Sequence, residues 1–447
     1  MCGILLTHRK NQNVEEIVNP LLTNRGPDNT SFVENGDYLF LHTLLSMTGD
    51  FVKQPITQDD NICIFNGEIY NHKDFGDYSS DVFSILESYK HNKARFASHL
   101  DGEFAIVLAD FKEKKINFCT DVFGIKPLYY SVDDGHLSAC SYKEILYSLG
   151  CRNILKAEPN KVFTFCLNKK QIISEQSIHD FNLNQFETSY DKWSELFLEA
   201  IKKRFLNTQH DIILPLSSGH DSGGISCALN MLGVDHYTFS FLGNEHKQIL
   251  QQRFEFSKNK DKIFIKDNLS AEEKQKAYSL LYENSGHFTY GKDILAQNQS
   301  HDGFKDAGAL GLTILLWKMK EMFPTIRILA SGQGGDEVMS TIQGYGFGDK
   351  FNPPIFPEEL NTVFPWNNFY YGAQSSYLSK EESVTGAFGI EGRFPFLDVS
   401  LVQSFLNLVP ELKNKEFKAP LTNFMKENSY PVLVGENPKV YKRGFNV

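Results

Sequence analysis

Leu216-Ser217-Ser218-Gly219-His220-Asp221-Ser222-Gly223-Gly224 stands between a strand-like run, Ile212-Ile213-Leu214-Pro215-Leu216, and a helical one, Ile225–Leu232. Small residues at a strand-to-helix joint let backbone N–H groups curl around an anion, and the dipole of the following helix favours negative charge there. It is not a Walker A loop, because Gly-Lys-Ser/Thr is absent. An ordinary strand–helix turn would look much the same. Asp221 is the informative residue: an acid inside an anion nest makes sense when a divalent cation joins it to phosphates. A second unit of this kind follows, in which Arg327–Ala330 leads into Ser331-Gly332-Gln333-Gly334-Gly335-Asp336-Glu337-Val338. Strands that alternate with helices predict an α/β domain with a mostly parallel sheet over residues 186–447.

The first 185 residues read differently. Short β-like runs dominate, among them Tyr38–His42, Ile62–Phe65, Phe104–Asp110, Lys115–Asp121 and Lys161–Leu167. Turn clusters such as Glu34-Asn35-Gly36-Asp37 and Asp133-Asp134-Gly135 punctuate them. Strands with few helices predict a layered sheet domain. The pattern changes near Asn182–Thr188, after which Trp193, Leu196, Phe197, Ala200, Ile201 and Phe205 recur at helical spacing.

At 447 residues the chain is too long for one typical core, so two domains or three are expected. With 41% hydrophobic and 22% charged residues it can offset its folding entropy by burial. A net charge of −10 without a basic run argues against a nucleic-acid face. The seven cysteines have no CxxC spacing, which indicates neither a zinc site nor a disulfide framework. No apolar stretch reaches 18 residues, and the start, MCGILLTHRK, lacks the charged region of a signal peptide. A reducing cytoplasm is the expected compartment.

Cys2 follows the initial Met directly. If Met is removed, the cysteine carries a free α-amine, whose ordinary pKa of roughly 7.7–8.0 suits it as general base for the neighbouring thiol. A buried structural cysteine explains Cys2 equally well when it is read alone. Asn66-Gly67-Glu68, at the end of the run Ile62–Phe65, sets a side-chain amide beside a glycine N–H, as an oxyanion hole requires; it also reads as a turn. Arg25-Gly26-Pro27-Asp28 is a turn with a fixed guanidinium. Asp81, after Ser79-Ser80, could hold a substrate ammonium or cap a helix.

Together MCGI, RGPD, FNGEIYN, the Asp81 segment, LDGEFAIVLAD (100–110) and FGIKPLYY (123–130) resemble the glutaminase domain of class II glutamine amidotransferases. The resemblance implies a four-layer αββα N-terminal-nucleophile sandwich. It implies Cys2 as nucleophile, Asn66 and Gly67 as oxyanion donors, and Arg25, Asn66, Gly67, Glu68 and Asp81 around glutamine. One departure stands out. The family reads close to His-Glu-Arg-Leu-Ser after its third strand, and its Arg grips the glutamine α-carboxylate; here His42-Thr43-Leu44-Leu45-Ser46 puts Leu44 in that place. Losing a charge-assisted contact should weaken glutamine binding by roughly 1.5–3 kcal/mol unless another cation substitutes.

In the second half, SSGHDSGG resembles the SGGxDS motif of ATP pyrophosphatases, and SGQGGDEV the SGEGxDEV segment of asparagine synthetases. Gly389-Ile390-Glu391-Gly392-Arg393-Phe394-Pro395-Phe396-Leu397-Asp398 resembles that family's GxExRxPFLD, and Lys442-Arg443-Gly444-Phe445 its lysine motif. Four motifs in the family's order behind a glutaminase domain resemble the glutamine-hydrolysing asparagine synthetase family over nearly the whole chain. That resemblance implies an adenine nucleotide α-hydrolase-like second domain with ATP and Mg2+ as its cofactors. Leu216, Ser217, Gly219, Asp221, Ser222, Ser331, Gly332 and Lys442 would meet ATP or pyrophosphate, Asp221 and Asp336 would hold the metal, and Lys442 would act in catalysis. Glu391 and Arg393 read as a structural ion pair, and His220 as a tolerated side chain. The family also passes ammonia through an internal tunnel.

Gln333 stands where the family has a Glu that handles ammonia or its proton, and an amide cannot serve as a carboxylate base. Relatives that make other amide bonds, such as β-lactam-forming synthetases, also change this position. The expected activity is therefore a glutamine-dependent, AMP-forming amidotransferase, a carbon–nitrogen ligase. Aspartate is its default acceptor, and another carboxylate in a specialised pathway is the alternative. An ammonia- or amine-dependent ligase with a weakened glutaminase is a second reading. A non-catalytic sensor is a third. Expected partners are glutamine and a small carboxylate, without nucleic acid or membrane, and a homodimer is compatible with the sequence.

Overall fold

Central strands of the first half, such as Gly3–Thr7 and Tyr38–Leu44, are buried along their whole length because both of their faces are covered. The computed structural model describes residues 1–8, 20–206, 208–243, 245–290, 301–340 and 356–433. The chain divides into two compact units. The first takes Met1–Asp180 with Asn284–His287 and Thr385–Ile390, and the second takes the rest.

The first unit holds strands β1 (Gly3–Thr7), β2 (Asn29–Asn35), β3 (Tyr38–Leu44), β4 (Ile56–Gln58), β5 (Asn61–Ile69), β6 (Gly102–Asp110), β7 (Lys115–Thr120), β8 (Tyr129–Asp133), β9 (His136–Cys140), β10 (Leu155–Lys156), β11 (Lys161–Cys166) and β12 (Gln171–Ser177). They form two antiparallel six-stranded sheets, ordered β10-β8-β9-β1-β3-β2 and β12-β11-β7-β6-β5-β4. Side chains alternate between faces with period two. Ile4, Leu6, Tyr38 and Phe40 therefore pack inward against Ile64, Val107, Phe118 and Phe163 of the other sheet. Leu5, Leu39 and Leu41 point outward, onto Leu22 of helix α1 (Pro20–Arg25) and Ile145 and Leu146 of α3 (Lys143–Ser148). Helix α2 (Val82–Asn92) packs beside β5 and buries Val82, Ile85, Leu86 and Tyr89. This is the expected helix–sheet–sheet–helix layering.

The second unit has one five-stranded sheet built from β13 (Asp211–Pro215), β14 (Tyr237–Phe241), β15 (Ile263–Lys266), β16 (Ile326–Ala330) and β17 (Glu391–Arg393). Its order is β15-β14-β13-β16-β17, and every pairing is parallel. Helices α4 (Asp191–Phe205), α5 (His220–Leu232), α6 (Lys247–Phe256) and α7 (Ala307–Met322) come between or before these strands. They are followed by α8 (Gly335–Met339), α9 (Gly372–Gly386) and α10 (Ala419–Glu427). The order reverses between β13 and β16. In an open parallel sheet, that switch point outside the carboxyl ends of the strands is where ligands bind. The two Gly/Ser loops leave β13 and β16 there.

One sequence expectation needs correction. The helix after β13 starts at His220, inside the motif, and not at Ile225. Gly223 and Gly224 are poor helix formers, but both are needed for packing. A Cβ at 223 would lie 2.5 Å from the Arg253 guanidinium, and one at 224 would lie 2.3 Å from Leu421. Tertiary contact here overrides local propensity. No helix among the described residues is long and apolar enough to cross a membrane.

Candidate functional site

In the first unit, β1 delivers Cys2 to the end of the sandwich. Its backbone N–H donates to Asn66 Oδ1 at 2.8 Å, its thiol lies 3.8 Å from the Leu45 carbonyl, and its carbonyl accepts from Arg25 Nε at 2.8 Å. Cys2 is 5% exposed. Because the Asn66 oxygen faces Cys2, the Asn66 Nδ2 donors are fixed on the other side of the amide. They are buried and, among the described residues, without a hydrogen-bond partner. A buried amide donor left unsatisfied costs about 1–3 kcal/mol, and a donor of this kind beside a thiol could meet a developing negative oxygen.

His42 supports this arrangement. Its Nε2 meets the Phe65 carbonyl at 3.0 Å, one residue before Asn66. Burial pulls its pKa down to about 3, so the ring stays neutral and Nε2 is the donor to that carbonyl. Gly67 has φ +138°, and a Cβ there would fall 1.9 Å from the Glu103 carbonyl, so only glycine fits beside Asn66. Asp81 is the N-cap residue of α2 but makes no side-chain cap bond. Its Oδ2 instead accepts from the Ile69 N–H at 2.9 Å. Glu68 is buried and accepts from Thr48. Two buried carboxylates therefore flank this stretch: Glu68, one residue beyond Gly67, and Asp81, at the start of α2 and bonded to the Ile69 N–H. Arg25 is fully buried; its Nε donates to the Cys2 carbonyl, and its Cζ lies 5.6 Å from the Tyr142 ring.

In the second unit the two loops touch. A Cβ on Gly332 would come 2.9 Å from Asp221 Cβ, and one on Gly335 would come 2.3 Å from Asp221 Oδ1. Asp221 and Asp336 share one ammonium, that of Lys418, with Asp336 Oδ1 at 2.8 Å. Burial works against the Lys418 charge, but the two carboxylates outweigh it and hold its pKa above the usual value. Ser217 Oγ and Ser222 Oγ bond at 2.9 Å, and the Gly219 N–H donates to Ser217 Oγ at 3.1 Å. Leu216 is buried at the loop's start. His220 is buried edge-on to Phe417, as a packed side chain would be. Arg393 Nε reaches Glu391 Oε1 at 2.7 Å, the expected ion pair.

Ser331 Oγ donates to Glu381 Oε2 at 2.5 Å, and Gln333 Nε2 donates to Glu381 Oε1 at 3.0 Å. Burial pushes the Glu381 carboxyl up, against the pull of Lys380 and the two donors. Position 333 thus lacks a carboxylate but holds one. Glu381, Lys418, Glu245 and Arg253 were invisible to motif reading, because they come from helices or loops with no pattern of their own. Lys442 lies outside the described residues.

Two carboxylates that converge on one point, beside a phosphate-type loop, suit Mg2+, which commonly takes one or two carboxylates and completes its shell with phosphate oxygens and water. Asp221 and Asp336 are the residues that would hold it.

Residues 1–190 match a family model described as a glutamine amidotransferase domain. Over 408 residues the chain is 24% identical to a putative asparagine synthetase (glutamine-hydrolysing) of Methanocaldococcus jannaschii, with 85% of this chain and 71% of that one aligned. It is also 24% identical over 439 residues to the glutamine-hydrolysing asparagine synthetase of Homo sapiens, covering 88% of this chain and 74% of that one. Among solved structures, one described as the allosteric regulatory enzyme of purine biosynthesis overlaps 60% of this chain and 80% of its own, with 11% identity and a TM-score of 0.34, too distant to place any residue.

Proposed function

We propose that this chain, an enzyme with a glutamine amidotransferase domain at residues 1–190 that resembles the glutamine-hydrolysing asparagine synthetases, is a glutamine-dependent, AMP-forming amidotransferase. The observation that carries this reading is the orphaned Asn66 Nδ2, buried beside Cys2 and oriented by the Cys2 nitrogen.

With Met1 removed, the Cys2 α-amine takes the thiol proton and the sulfur attacks the glutamine amide carbon. Asn66 Nδ2 receives the negative charge on the former carbonyl oxygen, with the Gly67 N–H as the expected second donor. Asp81 and Glu68 are the carboxylates for the glutamine ammonium. The α-ammonium returns that proton to the departing nitrogen, ammonia leaves, and water hydrolyses the thioester to release glutamate and the free thiol.

At the β13–β16 crevice, the acceptor carboxylate attacks the α-phosphorus of ATP and forms an acyl-adenylate with loss of pyrophosphate. Ser217, Gly219 and Ser222 would hold the pyrophosphate, Ser331 and Gly332 the nucleotide, and Lys442 would offset phosphate charge. Mg2+ held by Asp221 and Asp336 would neutralise phosphate charge when bound. Ammonia adds to the acyl carbon, AMP departs, and Glu381, held by Gln333 and Ser331, takes the proton that nitrogen releases. Aspartate is the default acceptor.

Leu44 favours a second reading, in which glutamine is a poor donor and free ammonia the main one. Glutamate release from glutamine, compared between the wild type and Cys2→Ala, decides between them. The first reading expects efficient release that the substitution abolishes while ammonium-dependent synthesis continues. Wild-type release no faster than that of Cys2→Ala would overturn it.

A further inference from the structure

Arg253, on α6, is 1% exposed, and it reaches the β13 loop from behind. Its Nη1 donates to the Ser217 carbonyl at 2.5 Å and to the Gly219 carbonyl at 2.8 Å, and its Nε donates to the Pro431 carbonyl at 3.0 Å. The Tyr430 ring lies 5.6 Å from its Cζ. Its Nη2 has no hydrogen-bond partner among the described residues. Among the described residues, every hydrogen bond it makes goes to a backbone carbonyl and no ion pair includes it. Glu245 and Asp221 act on it only across a distance.

A buried charge that is solvated but not neutralised is costly. The loop's geometry shows where a counter-charge would come from. In a trans peptide the C=O and the next N–H point in opposite directions. With the Ser217 and Gly219 carbonyls turned onto Arg253, the Ser218 and His220 N–H groups are turned away from it, toward the opposite face of the loop. An anionic oxygen already sits on that face: Glu245 Oε2 accepts from the Ser218 N–H at 2.7 Å and from the Ser218 hydroxyl. Gly223 completes the arrangement, since any side chain there would strike the guanidinium.

We propose that Arg253 is a positioning residue for the pyrophosphate portion of ATP: it turns the loop's N–H groups outward and supplies the buried positive charge that the polyphosphate balances. This rests on the reading of the 217–222 loop as a pyrophosphate site. Recognition is then graded by phosphate charge, and the adenosine part of the ligand is indifferent to Arg253.

The test is calorimetric titration of the full chain, with Mg2+ present, using ATP, inorganic pyrophosphate and adenosine. Arg253→Met should weaken pyrophosphate and ATP by about tenfold to a hundredfold, the loss of a charged hydrogen-bonding group, while adenosine binds as before. Arg253→Lys should recover part of the loss. Gly223→Ala, which drives a methyl into the guanidinium, should follow Arg253→Met in the same graded way. Unchanged pyrophosphate binding in Arg253→Met overturns the inference, and so does an equal loss for adenosine. If Arg253→Met does not fold, Arg253→Lys and Gly223→Ala carry the same comparison. A folded wild type that binds neither ATP nor pyrophosphate overturns the reading of the loop itself, a result the wild-type titration shows before any variant is made.

Discussion

The Cys2 backbone nitrogen and the Asn66 side-chain oxygen are joined by a 2.8 Å hydrogen bond, and this contact fixes which way the Asn66 amide faces. Asn66→Ala removes the donor left over by that bond. Glutamine hydrolysis should fall by roughly 10²–10³, the usual effect of losing one oxyanion donor. Ammonium-dependent synthesis should be unaffected. Steady-state glutamate release, measured beside ammonium-driven pyrophosphate release, checks both halves; a parallel loss of the two would mean that Asn66 is structural.

Leu44 shares a face of β3 with His42, whose ring reaches across to the Phe65 carbonyl next to Asn66. An arginine at 44 would start from the same face. Leu44→Arg should therefore lower the KM for glutamine by about ten- to a hundredfold, with kcat little changed, because it adds a contact to the glutamine carboxylate. No change in KM would show that the carboxylate is held elsewhere.

Much of this was legible in the sequence, and what was missed has a common cause. Strand runs such as Tyr38–His42 and Phe104–Asp110 were visible because burial on both faces makes them mostly apolar, and the observed β3 and β6 each extend them by two residues. Asn66, Asp221 and Asp336 sit in motifs. Arg253 comes from α6, 36 residues after Ser217, and Lys418 meets Asp221 across 197 residues of chain. No local pattern encodes such pairs. Lys418 also adopts φ +48°, a conformation uncommon for a residue with a side chain.

Lys418 holds Asp221 and Asp336 together in a site where its own side chain is 1% exposed. Lys418→Ala leaves two carboxylates facing each other and should cost about 3–5 kcal/mol without metal. Mg2+ should return part of that loss by taking the place of the ammonium charge. Thermal melts with and without Mg2+ test this, and a deficit that Mg2+ does not touch would separate the carboxylate pair from metal binding.

Glu381 is the carboxylate that Gln333 holds. Glu381→Gln should slow amide formation and leave ATP–pyrophosphate exchange intact, since only the later step needs a proton acceptor. An equal fall in exchange would place Glu381 in nucleotide binding instead.

Lys413 is buried, with Gln185 Oε1 at 2.5 Å and the Leu406 carbonyl at 2.8 Å, and burial pulls its pKa from 10.5 down to about 7. Between those values the unfolded chain carries a proton that the folded chain lacks. Stability should therefore rise with pH through that window, by at most about 1.4 kcal/mol per pH unit, and the penalty of burying the charge should be present below it. Lys413→Met should remove the rise. Urea unfolding of both proteins at about pH 7 and about pH 9.5, on either side of most of this titration, compares the slopes.

The most direct measurement is the nucleotide product formed from ATP, Mg2+, ammonium and aspartate, with the amide followed by mass spectrometry. AMP and pyrophosphate appearing in step with asparagine, and only when the carboxylate is present, is the predicted result. ADP and phosphate accompanying the amide would contradict adenylation at the β13–β16 crevice, and with it the proposed reaction.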